Sequence, residues 1–326
     1  MAPFRIATFN LENFDDEPEA SPTLADRIAI MRPQLLRLRA DVLCLQEVHS
    51  QQAGGGRTLS ALDALLAGTP YAEFHRATTR TTGGELYDER NLVTLTARPQ
   101  GLSRIIRDSD GPRPRYQMAT ANPPDQTSDL VQWERPLLVT PVDMGGGQTL
   151  HVINLHLKSK IASNIPGQKL NDYTWRTVSA WAEGNFISAM KRVGQALQVR
   201  LEIDRLFTEH GTSSFIAVCG DFNAEAHEVE IKTIAGPVEE TGNPEHAPRI
   251  MVHCENNVPE SSRYSLLHLG HGAMLDHVIV SRGLLGHFTH AEIHNEALPD
   301  ESGAFRVDTQ FPESDHAPVV AQFELG

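Results

Sequence analysis

Several hydrophobic runs of this sequence end in side chains that bind cations or phosphates. Such residues are Asn10, Glu12, Glu47, His156, Lys158, Asp221, Asn223, Asp276, Asp315 and His316. Buried strands do not normally end in such groups, because they are costly to desolvate unless a metal ion, a phosphate or each other satisfies them. Hard oxygen ligands and imidazoles from distant segments predict a divalent metal site for phosphate-ester hydrolysis.

Six of these residues form pairs two positions apart, which are Asn10/Glu12, His156/Lys158 and Asp221/Asn223. Because residues i and i+2 of an extended strand point to the same side, each pair is predicted to face one side of a strand end. One such pair alone is typical of a loop start or a turn cap. Three pairs together predict a single shared cleft.

The elements that position these residues follow from hydrophobic periodicity. Strands are predicted at 5–10, 41–46, 91–96, 135–140, 149–155, 214–220, 275–281 and 318–323. Helical spacing follows Thr23 up to Leu38, recurs briefly at 58–67 and returns over 175–210. The result is a mixed α/β pattern without a Rossmann fingerprint or a phosphate-binding glycine loop.

Three residues predict local breaks in the helices. Pro33 is predicted to kink or split the first helix, because it lacks an amide hydrogen and its ring clashes with the preceding turn. Gly184 is predicted to interrupt the long helix, and Gly194 to loosen it.

Charge and composition limit the classes of partner. The 326 residues carry a formal net charge of −14, which repels polyanions and weighs against a protein that coats nucleic acid. A nuclease is still compatible, because a bound dication offsets charge locally and basic residues concentrate at 98–115 and 156–176. Three cysteines without paired spacing argue against a disulfide framework and a zinc knuckle.

Neither a membrane span nor a signal peptide is predicted. No apolar run approaches the roughly 20 residues that a membrane helix needs. The sequence starts directly with a strand-like run. We therefore expect a cytoplasmic protein, or a secreted or periplasmic one if a leader precedes this sequence.

Six short stretches carry a resemblance to a known family. They are Thr8-Phe9-Asn10, Leu45-Gln46-Glu47-Val48, Asn154-Leu155-His156-Leu157, Gly220-Asp221-Phe222-Asn223, Leu275-Asp276-His277-Val278 and Ser314-Asp315-His316-Ala317-Pro318. In these stretches and their order the chain resembles the endonuclease/exonuclease/phosphatase superfamily, which has the deoxyribonuclease I-like fold. The resemblance implies an α/β (α+β) protein. Its fold would be a four-layer αββα sandwich, with two packed mixed β-sheets flanked by helices. It also implies one catalytic domain over residues 1–326.

The resemblance further implies a metal site. Glu47 would be the main Mg²⁺ ligand, with Asn10, Glu12 and Asp315 nearby, directly or through water. Magnesium keeps several waters and takes one or two carboxylates, so a sparse set of protein ligands suits it. Mn²⁺ is expected to substitute for Mg²⁺, and Ca²⁺ is a further candidate.

The catalytic roles are also implied by the resemblance. Asp221 would orient or deprotonate the attacking water, and Asn223 would donate a hydrogen bond to a phosphate oxygen. His156 would bind phosphate or act as the acid near the leaving group. His316, paired with Asp276, would stabilise the charge that develops on phosphorus. Lys158 and Arg176 are candidate contacts to substrate phosphate.

The sequence departs from the family pattern at identifiable positions. Glu12 stands where many members carry Asp. His156 stands where abasic-site endonucleases carry Tyr, and with Lys158 it resembles bacterial metal-dependent nucleases of the secreted type. The acidic partner of His156 stays open among Glu85, Glu89 and Glu134. His277 follows Asp276, so strand alternation is predicted to turn it away from the site.

Two hypotheses for function follow. The first is a Mg²⁺-dependent phosphodiesterase that cleaves DNA or RNA, as an endonuclease or an exonuclease, so that nucleic acid is its substrate partner. The alternative is a phosphatase or lipid phosphodiesterase with a small phosphate ester, an inositol phosphate or a sphingomyelin-like lipid as substrate. A non-catalytic module on this fold would be expected to have lost site residues, whereas every principal position is filled.

Overall fold

The computed structural model describes residues 3–133, 135–303 and 311–325. In these ranges strands alternate with loops and with a few helices. The strands are β1 (Phe4–Phe14), β2 (Val42–Val48), β3 (Gln51–Ala53), β4 (Gly56–Thr58), β5 (His75–Thr78), β6 (Asn91–Thr96), β7 (Arg104–Ile106), β8 (Arg115–Tyr116), β9 (Asp129–Leu130), β10 (Leu137–Gly145), β11 (Gln148–His156), β12 (Lys169–Asn171), β13 (Thr174–Trp175), β14 (Phe215–Asp221), β15 (Met251–His253), β16 (Leu266–His268), β17 (His271–Ala273), β18 (Asp276–Ser281), β19 (Phe288–Ile293) and β20 (Val319–Phe323).

The helices of the described residues are α1 (Leu24–Leu38), α2 (Ser60–Leu66), α3 (Val178–His210), α4 (Val229–Ala235), α5 (Val238–Thr241) and α6 (Arg282–Leu285). Helix α1 begins with a capping box, in which Thr23 and Asp26 bond each other's backbone amides, as the sequence signal predicts. None of the helices in the described ranges is long and apolar enough to cross a membrane.

Two six-stranded mixed sheets form the centre of the molecule. The first has the order β19-β20-β1-β2-β6-β5, and the second has the order β15-β18-β14-β11-β10-β7. Strands β1 and β2 run parallel in the first sheet, as do β11 and β14 in the second, and the other neighbours run antiparallel.

Three apolar clusters hold four layers together. One cluster, with Ile6, Cys44 and Val278, draws residues from both sheets and fills the space between them. A second packs α1 and α2 on the outer face of the first sheet, and a third packs α3 and α4 on the outer face of the second. The αββα sandwich predicted from the resemblance is therefore confirmed.

The sequence predicts that Pro33 either kinks or splits the first helix, and of these two outcomes the split is wrong. Helix α1 runs from Leu24 to Leu38 with Pro33 inside it. Pro33 and Ala29 are both exposed, so the Ala29 carbonyl that Pro33 cannot bond faces solvent.

The predicted interruption at Gly184 is also wrong, because α3 is continuous over 33 residues. A Cβ atom at Gly184 would lie 2.4 Å from the Ser163 carbonyl oxygen, and one at Gly194 would lie 2.7 Å from the Trp133 ring. Both glycines let another segment approach the helix closely. Their cost to helix stability is offset by contacts that single-sequence periodicity does not reveal.

Candidate active site

The predicted site residues meet at one end of the sandwich. The parallel pair β1 and β2 aligns Asn10 with Gln46, and the parallel pair β11 and β14 aligns His156 with Asp221. Strand β18 runs antiparallel to β14 and begins with Asp276 opposite Asp221. The ends of strands from both sheets therefore bring these distant segments together.

Asp221 lies at the centre of the site and is buried. Its Oδ2 accepts hydrogen bonds from Asn10 Nδ2 at 3.1 Å and from Asn223 Nδ2 at 3.0 Å, and its Oδ1 accepts one from the Asn223 backbone N at 2.8 Å. Burial raises the pKa of Asp221, but the charge of His316 and a hydrogen bond from His156 outweigh it and hold the pKa well below its usual value. The carboxylate is therefore ionised.

His316 and Asp276 form a buried pair beside Asp221. His316 Nδ1 lies 2.6 Å from Asp276 Oδ2, and His316 Nε2 lies 3.9 Å from carboxylate oxygens of both Asp221 and Asp315. Burial lowers the pKa of His316, but the carboxylates of Asp276, Asp221 and Asp315 raise it well above its usual value. The arrangement presents an imidazolium N–H to the centre of the site.

His156 reaches the same centre from β11. Its Nε2 lies 3.2 Å from Asp221 Oδ2 and 3.5 Å from Glu47 Oε1, so this nitrogen carries the ring hydrogen. Burial and the charge of Arg135 lower the pKa of His156. The ring is thus a neutral imidazole that donates through Nε2.

Neither of the two described candidates for the acidic partner of His156 contacts its Nδ1. Its Nδ1 is buried and has no hydrogen-bond partner among the described residues. Glu85 and Glu89 are exposed, and no contact joins either of them to His156 within the described ranges. Glu134, the third candidate, lies outside the described residues.

Three of the four predicted metal ligands accept hydrogen bonds from backbone amides, and the fourth, Asp315, donates one through its own backbone N. Glu47 Oε2 accepts from the Asn13 N at 2.8 Å, and Glu12 Oε2 accepts from the Asp315 N at 3.0 Å. Asn10 Oδ1 accepts from the Glu12 N at 3.0 Å. Each carboxylate keeps a second oxygen, and the carboxamide oxygen keeps a second lone pair, for another partner.

The electrostatics of this group fit a bound dication. Burial, followed by the neighbouring charge of Asp315, raises the pKa of Glu12 to about 8. Burial also raises the pKa of Asp315 to about 6, partly offset by His316, and Asp315 Oδ1 is buried without a hydrogen-bond partner among the described residues. A divalent cation held by Glu47, Glu12, Asp315 and Asn10 would relieve this repulsion. Among the described residues, the ligand-type atoms of Asp221, Asp276 and His316 lie within 4.8 Å of one another, whereas those of Glu12, Glu47 and Asp315 do not form so close a group.

Strand alternation explains the predicted residue pairs only in part. Strand β14 ends at Asp221, so Asn223 lies in the following turn with φ +49° and bonds back to Asp221. Lys158 likewise follows the end of β11. Glu12 (φ +48°) and Glu47 (φ +57°) also adopt the left-handed conformation that is uncommon for non-glycine residues. Backbone strain of this kind tends to collect at functional sites.

Gly220 shows why its motif begins with glycine. Its φ is +150°, and a Cβ atom there would lie 2.0 Å from the Leu155 carbonyl oxygen. Only glycine lets β14 lie this close to β11 just before Asp221.

Several supporting residues received no role from the sequence. Gln46, the residue before Glu47, donates from Nε2 to Asn154 Oδ1 at 2.8 Å across the two sheets. Ser314 Oγ donates to the Asn10 carbonyl at 2.7 Å, and the Arg27 guanidinium donates to the Leu11 and Glu12 carbonyls. Gln46 and Ser314 lie inside the recognised motifs, which was a usable signal. Arg27 lies in an ordinary amphipathic helix, and no sequence signal indicated its role.

A basic cleft opens beside the site, and one of the two predicted substrate contacts lines it. The cleft has a volume of about 1140 Å³, and its lining includes Arg115, Tyr116, Arg135 and Lys158. Lys158 Nζ donates to the Ser159 and Ile161 carbonyls at the cleft wall. Arg176, by contrast, is exposed next to the β12–β13 hairpin and is not among the described residues that line the cleft.

Most of the sequence matches a known protein family. A sequence model of the Endonuclease/Exonuclease/phosphatase family matches residues 7–316. A comparison with curated proteins found no match.

Solved structures share the fold at low sequence identity. The chain is similar to an endonuclease/exonuclease/phosphatase from Bacteroides vulgatus, with 17% identity, 100% of each chain covered and a TM-score of 0.58. It is similar to a humanised D. rerio TDP2, with 16% identity, 99% of each chain covered and a TM-score of 0.57. It is also similar to D. rerio TDP2 complexed with a single-strand DNA product, with 15% identity, 100% of each chain covered and a TM-score of 0.56.

Proposed function

Because the chain belongs to the endonuclease/exonuclease/phosphatase family, we propose that it is a Mg²⁺-dependent phosphodiesterase that cleaves nucleic acid. The proposal rests on one observation. Asp221, His156 and the His316–Asp276 pair lie close together, beside the carboxylates of Glu12, Glu47 and Asp315. Residues 1–326 would form one catalytic domain.

The metal would be held by the carboxylates and the carboxamide that lie near Asp221. Glu47 would be its main ligand, supported by Asn10, Glu12 and Asp315, and Mn²⁺ would substitute for Mg²⁺. When bound, the ion would supply charge neutralisation at the phosphate and lower the pKa of a nearby water. The raised pKa values of Glu12 and Asp315 support this assignment.

Asp221 would orient the attacking water rather than take its proton. A carboxylate whose pKa lies well below its usual value is a poor proton acceptor at neutral pH. Three donors from Asn10 and Asn223 fix the direction of the carboxylate, which favours a positioning function for the water.

The two histidines would bind the phosphate oxygens. His316, as an imidazolium, would stabilise the negative charge that develops on the phosphorane oxygens. The neutral His156 would act as a hydrogen-bond donor through Nε2, which favours phosphate binding over proton donation. Asn223 Nδ2 is engaged with Asp221 and the Leu157 carbonyl, so its predicted bond to phosphate would require a rearrangement.

The basic cleft supports an extended polyanion as substrate. Arg115, Arg135 and Lys158 line it, although the whole chain is acidic, and Glu89 and Asp129 lie among the lining residues as well. Tyr87 and Tyr116 also line it. A positive groove with aromatic side chains is typical of proteins that bind single strands, because the bases stack on the rings. One structural relative was crystallised with a single-strand DNA product.

The alternative substrate is a small phosphate ester or a phospholipid headgroup. The net charge of −14 favours it, because that charge opposes a long polyanion outside the cleft.

An activity panel tests the proposal. Single-stranded DNA, RNA, duplex DNA, bis(p-nitrophenyl) phosphate, a phosphomonoester and sphingomyelin vesicles are incubated with Mg²⁺, Mn²⁺, Ca²⁺ or chelator. We expect cleavage of single-stranded nucleic acid with Mg²⁺ and Mn²⁺ and none with chelator. Glu47→Gln, which keeps the shape of the side chain and removes its charge, is expected to abolish it. Hydrolysis of the lipid or the phosphomonoester alone would establish the alternative, and no hydrolysis with any metal would refute both.

A further inference from the structure

The consecutive residues Asp276 and His277 point to opposite faces of β18. Asp276 binds His316 in the active site. His277 is fully buried on the other face, where Nδ1 lies 2.5 Å from Glu255 Oε1 and Nε2 lies 2.9 Å from the Ala224 carbonyl oxygen. Ala224 ends the segment 221–224, which carries two of the proposed active-site residues.

The His277 ring must be protonated on both nitrogens. A carboxylate oxygen and a backbone carbonyl oxygen can only accept, so each ring nitrogen has to donate. Burial lowers the pKa of His277, but the Glu255 carboxylate outweighs it and holds the pKa above its usual value. Glu255 is itself buried, and the charges of His277 and His253 hold its pKa well below its usual value.

Hydrogen bonds, rather than a metal ion, account for this cluster. His253 Nδ1 also lies 2.8 Å from Glu255 Oε1, so His253, Glu255 and His277 bring three ligand-type atoms together. Ligands about 2.0–2.1 Å from a tetrahedral zinc would lie roughly 3.3 Å from each other. The observed separations of 2.5 and 2.8 Å are hydrogen-bond distances.

Further contacts tie the same segment to β18. The Phe222 backbone N donates to the Leu275 carbonyl at 2.8 Å, and the Phe222 ring lies edge-on to the His277 ring with 5.1 Å between centroids. Between these anchors, Asn223 adopts the left-handed conformation and bonds to Asp221. A turn of this conformation persists only where its surroundings fix it.

We propose that His277 is a positioning residue that fixes segment 221–224 through its hydrogen bond to the Ala224 carbonyl, and thereby directs the Asp221 carboxylate and the Asn223 amide into the active site. The consequence for turnover rests on the proposed phosphodiesterase activity. The effect on the conformation of segment 221–224 does not depend on that activity.

Two polar variants of similar size separate the two hydrogen bonds of His277. In His277→Gln the amide nitrogen takes the place of Nε2 and keeps the bond to Ala224. In His277→Asn the amide nitrogen takes the place of Nδ1 and keeps the Glu255 contact only. His151→Asn is the control for replacing a buried histidine, because His151 pairs with Ile216 toward the other end of β14.

Activity is measured with bis(p-nitrophenyl) phosphate and Mg²⁺. We expect His277→Asn to lower kcat by about 10–100-fold with little change in KM. A loss of this size is usual for residues that orient the side chains of a site without contacting the substrate. We expect His277→Gln to retain most of the wild-type kcat, and His151→Asn to match the wild type. Equal kcat values for the Asn and Gln variants would overturn the proposal.

Two further readouts do not depend on activity. Hydrogen exchange of the amides at 222–226 should be faster in His277→Asn than in His277→Gln. NMR of wild-type protein with ¹⁵N-labelled histidine should show both His277 ring nitrogens protonated. An unprotonated Nε2, stoichiometric zinc in the purified protein, or equal exchange in both variants would contradict the positioning role. Faster exchange in a protein without hydrolytic activity would instead refute the proposed function alone.

Discussion

His316 Nδ1 and Asp276 Oδ2 are 2.6 Å apart in a buried pocket, and this contact determines which nitrogen of His316 faces the active site. Asp276 Oδ2 accepts a hydrogen bond from Nδ1, so Nε2 points toward Asp221 and Asp315. The carboxylate also favours the charged form of the ring. The pair therefore combines orientation with charge, in the way that histidine–carboxylate pairs do in other hydrolytic sites.

Asp276→Asn is expected to lower kcat by about 10–100-fold, because it removes the charge that keeps His316 protonated while it preserves the shape of the side chain. In the wild type, burial lowers the pKa of His316 but its carboxylate neighbours raise it, so the protonated form persists above pH 6.5 and is lost as pH rises through the folded-state pKa. The variant should lose activity at lower pH than the wild type.

The measurement is the pH profile of kcat together with the NMR titration of the His316 ring. Asp143→Asn is the control, because Asp143 lies in the β10–β11 hairpin, at the other end of the second sheet. An unshifted alkaline limb in Asp276→Asn would contradict the role of the carboxylate.

Gly184→Ala is expected to destabilise the protein by about 1–3 kcal/mol, the usual cost of forcing an extra carbon into a packed region. A new Cβ would lie 2.4 Å from the Ser163 carbonyl oxygen, whose residue also bonds the Gly184 carbonyl through its backbone N. Helix propensity alone predicts the opposite, a gain of about 0.5–1 kcal/mol.

Urea unfolding of Gly184→Ala and of Asn185→Ala decides between these expectations. Asn185 is the next residue of α3 and is exposed, so its replacement should be neutral or slightly stabilising. A stabilised Gly184→Ala protein would show that the Ser163 carbonyl can move away from the new Cβ at little cost in free energy.

The local part of the structure was predictable from sequence, and the exceptions have a common cause. Strand β14 and the capping box at Thr23 depend on neighbouring residues, so periodicity and cap chemistry were sufficient. The interruption at Gly184 and the split at Pro33 are wrong, because these outcomes depend on tertiary contact and exposure rather than on the local sequence.

The candidate site shows the same division. The residues of the recognised motifs do converge, because they lie at the ends of paired strands. The motifs did not reveal the left-handed turn at Asn223, which redirects its amide toward Asp221. They also did not reveal Arg27, since its contacts with β1 carbonyls connect segments that have no pattern in common.

Glu292 should make stability depend on pH in the acid range. Its hydrogen bond from Arg5 outweighs partial burial and lowers the pKa from the ordinary 4.5 to about 2. A depressed carboxyl pKa contributes stability that is complete above 4.5 and is lost as pH falls toward 2. The melting temperature of Glu292→Gln should therefore lie below that of the wild type at pH 7 and converge with it as pH falls through this range.

Thermal unfolding of both proteins between pH 7 and pH 2 measures this difference. Glu239→Gln is the control, because Glu239 is exposed on α5. A difference between Glu292→Gln and the wild type that stays constant down to pH 2 would show that Glu292 stabilises the fold by packing and not by its charge.

Arg115→Glu tests whether the cleft carries the nucleic-acid strand. Arg115 is exposed on β8, donates to the Ser128 carbonyl and lines the cleft. Reversing its charge should raise KM for single-stranded DNA and lower the slope of log KM against log salt by about 0.7 for the lost phosphate contact. Hydrolysis of bis(p-nitrophenyl) phosphate should be unchanged, because a small diester needs the catalytic residues only. Arg282→Glu is the matched control, since Arg282 is also exposed and bonds a carbonyl, but follows the opposite end of β18 from Asp276. Equal effects of the two charge reversals on KM would mean that net charge, rather than the cleft, governs binding of the strand.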